Sequence, residues 1–314
     1  MRTFTTALLL VAATAAPALA ASEIPAFVGP NAPLVGAIHD ARTGEALTPE
    51  IVAAMVAEAD LVLLGERHDN PDHHALQAWA TGVAAAAHPE GRLVLEMVRR
   101  GEDVPLAEAS AQDVEALGEA LAWEANGWPD FAMYAPILEA ALEADWTLHA
   151  GDVDRETMGA LASDTDPLGE TERARLALDA PLPDAALATM EQAIVEGHCG
   201  LLPDEAVPGF VAAQRLRDAS LADALLEAPS PAVLIAGAGH VGPEAVPFYL
   251  AARAPERETL TIAFVEAPAD VEEPGALAPG FGTQDAPVDI AWFTPAIERG
   301  DVCASLRERF APAD

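Results

Sequence analysis

Two histidines and three carboxylates stand directly after short apolar runs in this sequence. They are Glu66 and His68 after Leu61–Leu64, Glu96 after Leu93–Leu95, Asp152 after Leu148–Ala150, and His240 after Ala232–Ala236. Short continuous apolar runs separated by helical stretches are typical of strands buried on both faces of a parallel sheet. Because parallel strands end at one shared edge, where ligands bind, we expect these side chains to meet in a single acidic and imidazole-lined pocket.

A pocket of this composition is compatible with three kinds of chemistry. It can hold a divalent metal such as Zn²⁺ or Mn²⁺ in an open site, with water completing the coordination. It can catalyse hydrolysis by metal-free acid and base chemistry, since histidine titrates near neutral pH and crowded carboxylates have raised pKa values. It can also surround haem, whose iron takes an axial ligand from histidine or tyrosine. For the first two kinds of chemistry the candidate residues are the same, namely Glu66, His68, Glu96 and His240.

Each of these side chains also has a purely structural interpretation. His68 is placed to cap the helix that follows it, and Asp152 to cap a helix that begins near Arg155. For the two glutamates the alternative is an ion pair with a nearby arginine, of which the sequence offers Arg67, Arg99 and Arg100. His73 and His74 are expected to face solvent on a helix.

The first part of the chain predicts a hairpin and two helices around the first buried strand. Residues 34–47 have the pattern of a small hairpin. Thr48 followed by proline predicts the start of a helix that runs to about residue 60. Asn70 followed by proline predicts a second helix that continues through Ala87.

Residues 111–228 are mostly helical in pattern, with one embedded strand near residues 147–150, and strand signals resume at residue 232. We therefore predict an α/β fold, a parallel sheet flanked by helices with a smaller helical insertion domain. In this division residues 21–110 and 229–314 form the sheet domain.

The composition excludes some partners and indicates a compartment. The formal net charge is −35, which argues against binding to nucleic acid or to anionic membranes. Residues 1–20 have the pattern of a secretory signal peptide that is cleaved after Ala20, and no later apolar run is long enough to span a bilayer. We expect a periplasmic or secreted protein without stable membrane insertion.

Two cysteines, Cys199 and Cys303, are far apart in the sequence. In an oxidising compartment they can form a disulfide that closes a loop of roughly one hundred residues. The chain has no Cys-x-x-Cys-His motif, so covalent attachment of a c-type haem is excluded.

Several motifs together resemble one protein family. The segment Leu63–His74, followed by Gln77, is similar to the opening signature of the ChaN-type haem-binding uptake proteins of the Tiki and erythromycin-esterase-like superfamily. Further matching segments occur in the same order along the chain: Leu95–Met97, Trp128–Pro129, Tyr134–Pro136, His198–Gly200, Ala213–Arg215, Arg217–Asp218, Gly237–His240, Val246–Pro247, Tyr249–Leu250 and Ala291–Pro295.

The resemblance implies an envelope protein of haem or iron uptake that binds haem non-covalently and forms a homodimer when loaded. It implies that tyrosine holds the haem iron, and of the two tyrosines Tyr134 is favoured over Tyr249. His68 and His240 remain further candidates, and the cations available for the haem propionates are Arg67, Arg99, Arg100, Arg215 and Arg217. Relatives of this family are often lipoproteins, but no lipid-bearing cysteine follows the signal here, so membrane anchoring is not expected. More distant superfamily members use the glutamate and histidine residues for hydrolysis, which keeps a hydrolase of peptide or ester bonds as the alternative.

Overall fold

A computed structural model describes most of the chain, and the predicted signal peptide lies outside the described residues. The described residues are 24–162, 168–227, 231–301, 303–304 and 307. No helix within these ranges is both long enough and apolar enough to cross a membrane.

The centre of the fold is a sheet of seven strands in the order β1-β7-β6-β2-β5-β3-β4. All neighbouring strands are parallel except β1, which is antiparallel to β7. The strand bounds are β1 Ile38–Asp40, β2 Leu61–Glu66, β3 Arg92–Arg99, β4 Thr147–Asp152, β5 Ala232–Gly237, β6 Thr259–Ala267 and β7 Ile290–Pro295. The predicted α/β fold class is confirmed.

The strands are connected by helices on both faces of the sheet. Their bounds are α1 Pro49–Glu58, α2 Pro71–Ala87, α3 Val104–Ala107, α4 Val114–Ala120, α5 Ala135–Leu142, α6 Arg155–Ala162, α7 Glu170–Arg175, α8 Asp184–Gly197, α9 Val207–Leu226 and α10 Val246–Arg253. Two of them begin as predicted, because Thr48 accepts a hydrogen bond from the Ile51 amide and Asn70 accepts one from the Asp72 amide.

The side chains of β2 alternate between two hydrophobic cores, one on each face of the sheet. Val62 and Leu64 pack in the core that contains α2 and α5. Leu61 and Leu63 pack in the core that contains α9 and α10. Burial on both faces explains why the sequence of this strand is continuously apolar.

The structure corrects the predicted hairpin at residues 34–47 and gives the position of the strand predicted near residues 147–150. The expected hairpin at residues 34–47 is reduced to a single bridge between His39 and Ala46, because β1 pairs with β7 instead. The strand predicted near residues 147–150 is β4, which joins the edge of the same sheet beside β3. The division of the chain into a sheet domain and a helical domain stays a prediction.

Cys199 and Cys303 form the disulfide that the sequence left open, with their Cα atoms 5.6 Å apart. The bridge connects the end of α8 to the chain beyond β7, across a sequence separation of 104 residues.

Candidate functional site

The carboxyl ends of four neighbouring strands, β2, β5, β3 and β4, form the candidate site. Glu66 at the end of β2 lies in register with Gly237 at the end of β5. The turn that follows β5 requires glycine at position 65 of β2, since a Cβ there would lie 2.6 Å from the Val241 side chain and 3.1 Å from the Cα of Ala238. The strand ends therefore deliver their polar side chains to one place, as the apolar runs predicted.

Glu96 is the residue around which the site is organised. One carboxylate oxygen accepts a hydrogen bond from the Gly237 amide at 2.7 Å, and the other accepts one from Nη2 of Arg217 at 2.9 Å. Nε2 of His240 lies 3.2 Å from Glu96 Oε1, and Nε2 of His68 lies 4.0 Å from Oε2. Burial alone would raise the pKa of Glu96, but His240, Arg217 and His68 together hold that pKa well below its ordinary range. Glu96 is therefore both buried and ionised.

His240 is held between two buried carboxylates. Its Nε2 faces Glu96, and its Nδ1 lies 2.6 Å from Oδ1 of Asp218 on α9. Burial would lower the pKa of His240, but Glu96 and Asp218 raise it to about 10. The ring is therefore an imidazolium whose two nitrogen atoms both donate to carboxylates, which leaves no lone pair for a metal or haem iron.

Glu66 and His68 form a second histidine–carboxylate pair at the other side of Glu96. Nδ1 of His68 lies 2.9 Å from Oε1 of Glu66, while Nδ1 of His74 lies 2.7 Å from Oε2. Burial would raise the pKa of Glu66, but hydrogen bonds with His68 and His74 lower it. Burial likewise would lower the pKa of His68, but Glu66 and Glu96 raise it. Unlike His240, His68 is at the rim, and 36% of its side chain is exposed.

Neither tyrosine presents its hydroxyl to solvent. Tyr134 is 1% exposed and donates a hydrogen bond to Oε1 of Glu66 at 3.0 Å. Its burial and the adjacent Glu66 charge raise its pKa, which disfavours the phenolate. Tyr249 is fully buried in the core on the opposite face of the sheet, and its hydroxyl accepts a hydrogen bond from Nε of Arg215 at 3.1 Å. Tyr134 thus belongs to the site and Tyr249 does not.

The expectation that His73 and His74 face solvent is wrong, since both are buried. Nδ1 of His73 accepts a hydrogen bond from the Arg67 amide at 2.8 Å, and its Nε2 lies 2.8 Å from the Thr294 hydroxyl. Burial lowers the pKa of His73 to about 3, so this ring is neutral. Nε2 of His74 donates to the carbonyl oxygen of His68 at 2.9 Å. The two histidines of α2 therefore fix the loop that carries His68.

Asp152 binds an arginine and does not cap α6. Its Oδ1 accepts a hydrogen bond from Nε of Arg217 at 2.9 Å, so one guanidinium joins Asp152 to Glu96. The cap of α6 is instead Asp154, which accepts a hydrogen bond from the Thr157 amide at 2.8 Å. The ion-pair partner of Glu96 is likewise Arg217 rather than one of the three arginines that the sequence suggested.

The arginines predicted to contact propionates lie in different environments. Arg67 is exposed beside His68. Arg100 is bound to the backbone and hydroxyl of Ser220 and to two carboxylates, those of Asp223 and Glu227. Arg215 donates to the carbonyl oxygens of Leu178 and Ala180 as well as to Tyr249. Their roles toward haem stay predictions, and Arg67 is the one adjacent to the rim.

The predicted metal ligands meet in pairs rather than around one point. His68 pairs with Glu66, and His240 with Glu96 and Asp218. Among the described residues, no three or more histidine, cysteine or acidic side chains are arranged to hold a metal ion. The metal alternative stays a prediction without support from this geometry.

Sequence reasoning missed Asp218 and gave Arg217 only as a possible propionate contact. A signal was available, because Gln214, Arg217 and Asp218 have the spacing of one helical face. In α9 that face points at the sheet edge, where Nε2 of Gln214 lies 3.2 Å from Nδ1 of His240.

The fold and the site define a class of α/β proteins with a histidine- and glutamate-lined pocket at the carboxyl edge of the sheet. Residues 52–250 match the family described as haem-binding uptake, Tiki superfamily, ChaN, and the chain belongs to this family. No curated protein matches the chain.

Three solved structures match the chain, and the first of them shares its fold. The structure described as cofacial heme binding to ChaN of Campylobacter jejuni is 18% identical, and the match covers 81% of this chain and 95% of that chain with a TM-score of 0.63. The type III effector HopBA1 is 13% identical over 79% of this chain and 93% of its own, with a TM-score of 0.44. A mutant of the erythromycin esterase EreC in its open conformation is 14% identical over 87% of each chain, with a TM-score of 0.40.

Proposed function

We propose that this protein binds haem non-covalently at the rim of the candidate site and acts in haem or iron uptake in the periplasm or outside the cell. The family membership supports haem as the cargo. The single observation in the structure that carries the proposal is His68, a partly exposed imidazole whose Nδ1 is engaged by a buried carboxylate.

The surroundings of His68 suit a flat, anionic ligand. The Trp128 ring packs edge-on against the His68 ring, with the centroids 5.1 Å apart. Arg67 is exposed at the preceding position in the chain and supplies a cation for a propionate. An aromatic side chain, a cation and a potential iron ligand therefore occur together at the rim.

The disulfide between Cys199 and Cys303 supports the proposed compartment, because disulfides persist in oxidising environments. The Campylobacter jejuni structure is described as binding haem cofacially. We extend this to the present chain as a homodimer that forms on haem loading. Size-exclusion chromatography with light scattering, with and without hemin, tests it, and an unchanged mass on loading would contradict the dimer.

The experiment that tests haem binding is a hemin titration of the mature protein followed by absorbance in the Soret region. We expect a saturable spectral change. The control variant His149→Ala should retain it, because His149 lies in β4 and its ring contacts Thr147 rather than the site. A titration without saturation, in which the spectrum matches free hemin throughout, would contradict the proposed function.

A hydrolase of peptide or ester bonds is the second candidate, and one observation favours it. The pairs Glu66–His68 and Asp218–His240 stand on either side of Glu96, which resembles an acid–base constellation. In this function His68 would take a proton from water while Glu66 holds its Nδ1–H. Hydrolysis of ester and peptide substrates that is lost in His68→Ala would support it. If no such hydrolysis is found, and if protein purified without chelator holds only trace metal, both the metal-free and the metal-dependent hydrolase are contradicted.

A further inference from the structure

We infer that Arg299 is a positioning residue at the rim of the candidate site. It binds the carboxylates of Asp69 and Glu266, and by doing so it leaves the guanidinium of Arg67 available to an anionic ligand. This role rests on the proposed haem-binding function, because it concerns the cation that would meet the haem propionates. The residues involved lie on the loop after β2, at the end of β6 and in the segment that follows β7.

Arg299 connects two carboxylates that belong to different parts of the rim. Its Nε and Nη2 donate to the two oxygens of Asp69 at 2.6 and 2.5 Å. Its Nη1 and Nη2 donate to the two oxygens of Glu266 at 2.6 and 2.8 Å. The planar guanidinium suits such paired contacts, which the compact ammonium of lysine does not reproduce. One cation therefore satisfies both acids.

The two carboxylates would be unfavourable for an anionic ligand if Arg299 were absent. Asp69 directly follows His68, and 48% of its side chain is exposed. Arg299 lowers the pKa of Asp69. Burial would raise the pKa of Glu266, but Arg299 and Asn70 lower it. Both acids are therefore ionised at neutral pH, and without Arg299 their charges would repel a propionate.

Arg67 is the neighbouring cation, and its charge is not used inside the protein. Its side chain is exposed and makes no hydrogen bond or ion pair with any residue that the structure describes. It stands two positions before Asp69, and its charge contributes to the lowered pKa of that carboxyl group. Arg67 is thus near enough to interact with Asp69, but Arg299 already binds both oxygens of this carboxylate.

The segment that carries Arg299 is fixed at both ends. Pro295 belongs to β7, whereas residues 296–301 form neither helix nor strand. Cys303, four positions after Arg299, is bound to Cys199 at the end of α8. An ion pair with an exposed partner contributes little by itself. The two anchors therefore matter, because a short tether keeps the guanidinium at a high local concentration beside its partners.

The test is a titration of the mature protein with hemin and with hemin dimethyl ester, in which both propionates are blocked. For Arg299→Gln we expect the Kd for hemin to rise about fivefold or more, because Asp69 is then free to pair with Arg67. The Kd for the dimethyl ester should stay the same, since this ligand has no carboxylate. Equal weakening with both ligands would indicate a general structural defect and would overturn the proposed role.

Two double variants separate the capture of Arg67 from a loss of structure. Arg299→Gln with Asp69→Asn should regain most of the wild-type affinity for hemin, because the carboxylate that would capture Arg67 is gone. Arg67→Gln with Arg299→Gln should lose less affinity than the two single variants predict when added. Fully additive losses, or no recovery with Asp69→Asn, would overturn the role of Arg299.

Arg42→Gln is the matched control for the loss of an arginine from an ion pair. Arg42 lies 2.5 Å from Asp289, at the opposite edge of the sheet, where β7 begins. This variant is expected to bind hemin as the wild type does. A Kd raised as much as in Arg299→Gln would show that any lost cation has this effect, and would contradict a specific role at the rim.

The anchoring by the disulfide has its own variant. Cys199→Ala with Cys303→Ala should weaken hemin binding in the same direction as Arg299→Gln, and should add little once Arg299 has been replaced. An unchanged Kd in the cysteine variant would overturn the anchoring.

The wild-type titration separates two kinds of failure. If the wild type shows no saturable hemin binding, the proposed function fails. If it binds hemin saturably but Arg299→Gln has the same Kd, only the role of Arg299 is refuted.

Discussion

Nδ1 of His240 lies 2.6 Å from Oδ1 of Asp218, in the interior between the end of β5 and helix α9. Asp218 is fully buried, and the other ring nitrogen of His240 faces Glu96. The pair therefore connects α9 to the sheet edge through charges that water does not reach. Such a connection is stable only while each charge has its partner.

Asp218→Asn is expected to destabilise the fold by about 3 kcal/mol or more, because it leaves the His240 imidazolium with one carboxylate fewer in the interior. Chemical denaturation of the variant and the wild type at neutral pH measures the difference. The matched control is Asp113→Asn, an exposed aspartate whose side chain makes no capping hydrogen bond in α4. Equal losses in both variants would contradict a special role for the buried pair.

Raising the pH is expected to weaken the fold through the same histidine. The pKa of His240 is about 10 in the folded chain against an ordinary value of 6.5, so its stabilisation is complete below pH 6.5 and is lost as the pH rises toward 10. We expect the free energy of unfolding to fall by a few kcal/mol across this window, as measured by denaturation at a series of pH values.

His240→Gln separates this effect from those of the other site histidines. The pKa values of His68 and His74 are also raised, so they contribute to the decline of the wild type with the same sign. The variant should be less stable at pH 6.5 and should show a shallower decline above it. Parallel curves for the two proteins would show that His240 is not an imidazolium in the folded chain.

Gly237→Ala is expected to weaken hemin binding while leaving most of the stability intact. The new methyl group would lie 3.0 Å from Nε2 and 3.1 Å from Cε1 of His68, so the ring must shift from its position. An overpacking energy of about 1 kcal/mol corresponds to roughly a fivefold rise in the Kd for hemin, measured by titration. Gly239→Ala is the control, because a Cβ there meets nothing within 4 Å. The same Kd in both variants would contradict haem binding at the rim beside His68.

Reduction of the disulfide is expected to lower the thermal stability. The Cys199–Cys303 bridge closes a loop across 104 residues, and loss of such a constraint costs about 2 to 5 kcal/mol. The measurement is the Tm with and without a reductant. The double variant Cys199→Ala with Cys303→Ala should have a lower Tm that the reductant does not change, and a wild-type Tm insensitive to reductant would contradict the prediction.

The strands were predictable because burial on both faces leaves a mark in the sequence itself. Leu61 to Leu64 are apolar at every position, and Glu66 follows where the strand leaves the core. The same reasoning placed Glu96 and His240 at the sheet edge. It failed for His73 and His74, because a polar residue on a helix is exposed in most proteins and only the packing of α2 shows that this pair is buried.

The amino-acid sequence by itself indicated a parallel sheet and the acids and imidazoles near the ends of its strands, since buried strands have a local pattern of apolar residues. It did not give the order of the strands or the antiparallel pairing of β1 with β7. Only the tertiary structure decided which charges are paired. Arg217 donates a hydrogen bond to Glu96, which is 121 residues away in the sequence, and Tyr134 donates one to Glu66, which is 68 residues away. These contacts depend on how α9 and the segment before α5 are rotated against the sheet, and that rotation is set by packing over the whole core rather than by any local sequence.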